Sequence, residues 1–483
     1  MTITDTRTRW LALLVLCLGD LMIVLDGTIV NVALPSIRDD LGFSQESLAW
    51  VVNAYLLTFG GFLLLGGRLG DLFGHRRMFL SGIALFTLAS LACGLATSQG
   101  ALIAARAVQG LGGAIVSAVA LSLIMTLFVE PAERAKAMGV FGFVLSGGGT
   151  AGVLLGGVIT DLLDWHWIFL VNLPVGIAVF ALTLALLPGT RGQATGRVDV
   201  AGAITVTASL MIAVYAIVNG NEVGWMTART LGLLGAAAVL MVVFLSLEAR
   251  LSAPLMPLGI FRNRNVSTAN VIGVLMAAGM FAYFFLSALY LQGILGYTPM
   301  EVGLAYLPSM VIWGGSSLLL SDRLVMRLGV RTPLIAGLAL MTLGLLLLAR
   351  TPVDGSFLVD VLPATIAVGL GAGIGFNPIL LAAMSGVSPT EAGLASGVVN
   401  TSFMMGGALG LAVLASLAAW RTEELEAAGE SARAALNGGY HLAFLVGSAF
   451  VVASAVVAAA FLRVDVSAAQ EEHHGVPAPA AAD

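Results

Sequence analysis

The chain has 483 residues, of which 59% are hydrophobic and only 10% charged, with a mean hydropathy of +0.99. Soluble domains carry about 25% charged residues, so this composition excludes a string of soluble domains and points to an all-α integral membrane protein. The net charge of −5 says little, because the charges fall in loops. Cys17 and Cys93 lie in apolar runs, which argues against a disulfide framework or a metal site.

A membrane-spanning helix needs about 20 mostly apolar residues. The first such run, 10–35, carries Asp20 and Asp26 near its middle. An ionisable group inside hydrocarbon is expensive and normally faces a partner or a water-filled path. This run is long and lacks a small-residue cleavage site, so no cleavable signal peptide is expected. Runs at 46–67 and 78–98 follow, joined by Gly67 to Arg77, a loop with Asp71 framed by Gly70 and Gly74 beside Arg76 and Arg77. The fourth run, 101–127, holds Arg106, the one basic residue inside a span, with Gln109 one turn further on. Depths counted at about 1.5 Å per residue overlap for Arg106, Gln109 and Asp26, so the three are candidate neighbours. The fifth run, 135–160, is dense in glycine, with Gly148, Gly152, Gly156 and Gly157 at a spacing that lets helix backbones approach closely in lipid.

Runs at 166–187, 198–219 and 229–248 come next, the last two separated by Asn219-Gly220-Asn221. The remaining runs are 267–292, 301–320, 332–349, 357–384, 392–418 and 440–462, which brings the number to fourteen. They hold no central carboxylate. Their candidate cavity groups are neutral: Asn270, Tyr290, Gln292, Asn377 and Asn400, with Phe281, Tyr283, Phe284, Phe285 and Trp313 as an apolar surface. Glycines between Gly369 and Pro378 would let the twelfth span bend or approach a neighbour. The tail, 464–483, has the composition of a disordered segment, and His473 and His474 read as solvent-exposed.

Basic residues orient the spans. With the amino terminus inside, 16 of the 22 fall on the cytoplasmic side and 5 on the outer side, Arg106 being the other. Both termini are then cytoplasmic. The 67–77 loop has a looser echo at 321–331, between spans 10 and 11. Such internal repeats mark secondary transporters. They divide the chain into a six-span bundle (1–190), two inserted spans (191–262), a second six-span bundle (263–463) and the tail. No Gly-x-x-x-x-Gly-Lys-Ser/Thr sequence is present, so no ATPase is built into the chain. Lys136 is the only lysine, a bias that suggests GC-rich coding DNA and a bacterial inner-membrane protein.

Five segments, in order, resemble the major facilitator superfamily and in particular its fourteen-span drug:proton antiporter family. They are Leu25-Asp26-Gly27-Thr28-Ile29-Val30-Asn31-Val32-Ala33-Leu34-Pro35, the Gly67–Arg77 loop, Arg106-Ala107-Val108-Gln109-Gly110, the Gly148/Gly152/Gly156-Gly157 run, and Trp165 to Pro174. Val153 and His166 depart from the family pattern, which has proline and arginine there. The resemblance implies two pseudo-symmetric bundles with two extra spans and proton-coupled efflux of amphipathic, cationic drugs or antibiotics by alternating access. A proton-linked importer or facilitator of a small metabolite on the same fold is the alternative. It also implies a proton site at Asp26 with Arg106. Gly67, Asp71, Gly74, Arg76 and Arg77 would form a cytoplasmic latch, and the fifth-span glycines a rocking interface. Asp71 would pair with an arginine or with the start of span 13 near Glu391–Gly393.

Asp20 fits the family pattern less well. It shares a helix stripe with Gly27 and Asn31 and leaves three readings open: a second proton site, a contact for a cationic substrate, or an acid hydrogen-bonded within the packing. Substrate contacts are expected from Asp20, Asn31, Gln109, Tyr290, Gln292, Asn377 and Asn400. The expected partners are a small molecule, protons and lipid, with no nucleic acid, no cofactor beyond the proton gradient and a monomeric state. No intramembrane metal cluster or Ser/His pairing suggests an enzyme.

Overall fold

The computed structural model describes residues 6–128, 130–187, 199–251, 254–385, 387 and 392–463. Every regular element among them is a helix. Hydrocarbon offers no partner for backbone N–H and C=O groups, so a spanning segment must satisfy them internally. The long helices are α1 (Thr6–Leu41), α2 (Gln45–Phe73), α3 (His75–Gly94), α4 (Gln99–Leu127), α5 (Pro131–Leu162), α6 (Trp167–Leu186) and α7 (Val200–Val218). They continue with α8 (Ala228–Arg250), α9 (Arg264–Gly293), α10 (Pro299–Ser321), α11 (Arg331–Leu348), α12 (Phe357–Met384), α13 (Ala392–Ala427) and α14 (Ala432–Phe461). Thirteen helices are long and apolar enough to cross a membrane by the described residues alone. The other, α5, is 32 residues long and uncharged from Ala137 to Thr160.

Short polar residues start the helices where the apolar runs begin. Ser44 and Ser47 form a capping box at α2, and Thr298 with Glu301 forms one at α10. Ser98, Asp199, Thr227, Asn263 and Ser431 cap α4, α7, α8, α9 and α14 through their side chains. The turn between α2 and α3 pivots on Gly74, whose φ of +96° suits glycine alone. Helix ends differ from the apolar runs. α1 continues through Arg38, Asp39 and Asp40, α13 runs on to Ala427, and α14 begins at Ala432 rather than 440. Charge ends the hydrophobic run at the membrane surface, but it does not end the helix.

α1 to α6 pack among themselves, as do α9 to α14. The two sets meet along α1 with α9 and α10, α2 with α13, and α5 with α10. α7 lies on α2 and α13, across one seam between the bundles, and α8 packs on α7 with little else buried. The seam is tight: a Cβ on Gly61 of α2 would lie 2.0 Å from Thr207 Oγ1 of α7. Asn221, in the α7–α8 connection, donates to the Ser416 carbonyl of α13 at 2.8 Å. α1 and α14 bring the described termini to one face, called here the terminal face. The α1–α2 loop lies at the opposite, far face. Near the far face the bundles touch, with Gln292 of α9 donating to the Val32 carbonyl of α1 at 2.8 Å.

Glycine sets the helix spacing. On α5, Gly148, Gly152 and Gly156 face α1, where added Cβ atoms would meet Leu21 at 2.6 Å, Thr28 Oγ1 at 2.0 Å and the Ile29 carbonyl at 2.8 Å. Gly157 points the other way, 2.7 Å from the Pro299 carbonyl of α10 by the same measure. α5 carries Val153 where the family pattern has proline and runs without a break, its Val153 carbonyl packed against Gly303 of α10. α12 uses glycine for close approach: Gly369 and Gly373 abut α10, Gly371 abuts α11, and the helix continues past Pro378.

Candidate functional site

The first bundle holds a polar cluster in its apolar interior. Asp26 of α1 is 0% exposed and Arg106 of α4 is 1% exposed. Their closest atoms, Arg106 Nη1 and Asp26 Oδ2, are 2.5 Å apart. The same Nη1 donates to Gln109 Oε1 at 2.7 Å, and Arg106 Nε donates to the Val51 carbonyl of α2 at 2.9 Å. The second carboxylate oxygen of Asp26 accepts from Gln109 Nε2 at 2.7 Å and from Asn172 Nδ2 of α6 at 3.0 Å. Ser90 of α3 completes the cluster, with its Oγ 2.8 Å from Gln109 Nε2. The guanidinium also lies 4.4 Å from the ring centre of Tyr55 and 5.6 Å from that of Phe169.

The cluster therefore ties α1, α2, α3, α4 and α6 together. A buried carboxylate facing a guanidinium at hydrogen-bond distance is held by charge, and its remaining lone pairs are filled by two amides. Depth counting along α1 and α4 brought Asp26, Arg106 and Gln109 together. Asn172 and Ser90 were missed. Asn172 lies in the Trp165–Pro174 segment, but a single amide in an apolar run gives no sign of which way it points.

Asp20 sits apart from this cluster. It is 2% exposed and accepts from Ser117 Oγ of α4 at 2.5 Å through Oδ1, while Oδ2 has no hydrogen-bond partner among the described residues. Gly27 and Asn31, on its stripe, are partly exposed, and a Cβ on Gly27 would enter open space. Asn31 Nδ2 donates to the Gly27 carbonyl of its own helix at 3.1 Å.

The second-bundle candidates are scattered. Tyr290 is fully buried, and its hydroxyl donates to the Pro352 carbonyl at 2.8 Å, so it shows no surface to a ligand in this state. Gln292 serves the contact between bundles described above. Asn377 donates to Ser317 Oγ at 3.2 Å, and Asn400 to the Ser396 carbonyl at 3.2 Å. Both are partly exposed. Asn270 accepts from Ser402 at 2.6 Å. An aromatic group surrounds Phe284, which stacks on Trp313 at 6.4 Å and leans on Tyr306 at 5.7 Å.

The segment read as a loop is helical on both sides of Gly74: Asp71, near the end of α2, has its Oδ1 3.2 Å from His75 Nε2 at the start of α3, and Arg76 donates to the Leu184 carbonyl of α6 at 2.7 Å. Glu391 lies outside the described residues, as do the side chains of Ala392 and Gly393, so the suggested contact of Asp71 with the start of α13 does too. The tail histidines, His473 and His474, also fall outside. At the far face, His166 stacks on Trp165, and Trp165 donates to Asp40 at 3.0 Å. Partial burial pushes the Asp164 carboxyl up, but the His166 N–H, ring and charge outweigh it and hold the group below the ordinary carboxylate range.

The sequence model of the Major Facilitator Superfamily matches residues 16–411, nearly the whole helical region. The chain belongs to the Major Facilitator Superfamily. This transporter is 40% identical to the puromycin resistance protein of Streptomyces alboniger, over 98% of this chain and 95% of that one. It is 39% identical to the cephamycin export protein of Amycolatopsis lactamdurans, over 85% of each chain. It is also 38% identical to a multidrug resistance protein of Mycobacterium tuberculosis, over 87% of this chain and 78% of the relative. Among solved structures, a bacterial homolog of the human lysosomal transporter Spinster aligns with a TM-score of 0.67 at 17% identity. That alignment covers 98% of this chain and 100% of the other. A nucleoside transporter aligns with a TM-score of 0.63 at 12% identity, covering 94% of this chain and 100% of the other. At those identities the likeness is one of fold.

Proposed function

We propose that this membrane transporter exports amphipathic, cationic antibiotics or drugs in exchange for protons, by alternating access of the space between its two bundles. The observation that carries the reading is the pair of buried carboxylates on α1, Asp26 locked to Arg106 and Asp20 with one oxygen bare. Such groups are costly in a membrane protein and mark ion paths. Relatives named for puromycin resistance, cephamycin export and multidrug resistance support an outward direction and an antibiotic substrate. The protein is not an enzyme. It works as a monomer in the bacterial inner membrane with both termini in the cytoplasm, an orientation supported by the distribution of its basic residues. The proton gradient is its energy source.

Puromycin, a cationic nucleoside antibiotic, is the first compound to test. Cells expressing the chain should accumulate less of it than cells without, and a protonophore should erase the difference. Efflux that survives collapse of the gradient but fails on ATP depletion would sink the antiport reading. Higher accumulation in expressing cells would favour an importer.

The α2–α3 loop acts as a latch at the cytoplasmic ends of the bundles. Asp71→Asn keeps the size and removes the charge facing His75. The Asp71 side chain is half exposed and His75 less so, and the stability cost is about 0.3–1 kcal/mol. The expected result is slower turnover with unchanged substrate affinity, measured as initial rates over a concentration series. Wild-type rates would leave the loop as a topology signal only.

A further inference from the structure

The two α1 carboxylates are not equivalent. Asp26 accepts three hydrogen bonds, one from a guanidinium and two from amides, so both its oxygens are filled. Arg106, its counter-charge, is held in turn by Gln109 and the Val51 carbonyl. Protonating Asp26 would strand a buried guanidinium and weaken the bonds that tie α4 and α6 to α1. A group that must gain and lose a proton in each cycle is poorly served by such a site.

Asp20 has the opposite surroundings. Among the described residues Ser117 is its one hydrogen-bond partner and no ion pair includes it. The titratable groups whose fields reach it include Cys17, one turn back on α1, and Tyr55 on α2. Against α3, the atoms nearest an added Cβ on the neighbouring Gly19 belong to Phe79 and Ile83. α5 offers no charged residue between Ala137 and Thr160, and α6 none between Trp167 and Leu186. Arg106, on α4, is committed to Asp26. On α9, Tyr283 and Tyr290 belong to the second bundle, as does Tyr306 on α10. A negative charge at Asp20 thus has a single hydroxyl to stabilise it, and its bare oxygen is free to carry hydrogen. Six residues at about 1.5 Å each place Asp20 roughly 9 Å nearer the terminal face than Asp26.

We propose that Asp20 carries the coupled proton, while the Asp26–Arg106 pair stays intact as a strut holding α1 against α4. The inference rests on the antiport reading above and assigns its proton to one atom. Oδ2 of Asp20 takes a proton from hydronium that enters from the far side, leaving water. When water from the terminal side reaches the same oxygen, the O–H bond breaks, that water takes the proton as hydronium, and the carboxylate is restored.

The test compares the wild type, Asp20→Asn, Asp20→Glu and Asp26→Asn as purified full-length proteins. In proteoliposomes, wild type should move puromycin against a flow of protons. Asp20→Asn should still equilibrate puromycin downhill, with its proton flux lost. In pH-difference infrared spectra, the wild-type carboxylic-acid carbonyl band should vanish in Asp20→Asn, shift in Asp20→Glu and persist in Asp26→Asn. Proton-coupled transport by Asp20→Asn overturns the assignment. So does a band that survives Asp20→Asn, fails to shift in Asp20→Glu or disappears in Asp26→Asn. Wild type moving puromycin with no proton flux removes the antiport reading itself, a result distinct from the others. If Asp20→Asn does not fold, the Asp20→Glu band decides.

Discussion

Arg106→Ala is expected to be the most damaging single substitution in the chain. It removes the counter-charge of a fully buried carboxylate, together with hydrogen bonds to Gln109 and Val51. Breaking a buried ion pair by deleting one partner typically costs about 3–5 kcal/mol, because the other charge is left uncompensated. Asp26→Asn should cost a similar amount by stranding the guanidinium. The double variant Asp26→Asn/Arg106→Gln buries no charge and should be more stable than either single one, although it carries two changes. Thermal unfolding in detergent reads this directly. Additive losses in the double variant would mean that the two charges do not depend on each other.

Gly152→Val should have the next largest effect. At Gly152 an added Cβ falls 2.0 Å from Thr28 Oγ1 and 3.0 Å from the Leu25 carbonyl, so α5 cannot keep its distance from α1. Overpacking of this kind costs about 1–3 kcal/mol. Because α5 also packs on α10 in the other bundle, the displacement passes to the interface that must move during transport. Transport should be nearly lost while the protein still inserts. Gly152→Ala should be milder, and Thr28→Ala should partly restore it by removing the hydroxyl, leaving the Leu25 backbone contact. Full transport by Gly152→Val would show that the α1–α5 spacing is loose.

The architecture was legible because hydrocarbon imposes one rule on every span. Windows of about 20 apolar residues located the helices, and the glycines of α5 announced a close neighbour. The helix ends were not legible, since Arg38, Asp39 and Asp40 continue α1 beyond the apolar run. In the site, Asp26 and Arg106 could be matched because each is a rare charge and depth along a helix is simple to count. Asn172, Ser90 and Ser117 are small polar residues in apolar runs, and their roles depend on how helices cross. Asp20 lies about 120° around α1 from Asp26, which said that it has different neighbours without saying which. Tyr290 and Gln292 read as cavity groups because polar atoms in a span suggest a ligand. Their hydroxyl and amide instead meet backbone carbonyls of Pro352 and Val32, partners that side-chain spacing does not reveal.

In the proposed cycle substrate leaves as protons enter. The most direct test is simultaneous recording of puromycin and proton movement in proteoliposomes with an imposed pH gradient, no ATP and the membrane potential clamped. Puromycin should move against its own gradient and opposite to the protons, in a fixed ratio that vanishes when a protonophore is added. Puromycin and protons moving in the same direction, or puromycin crossing with no proton flux at all, would contradict it.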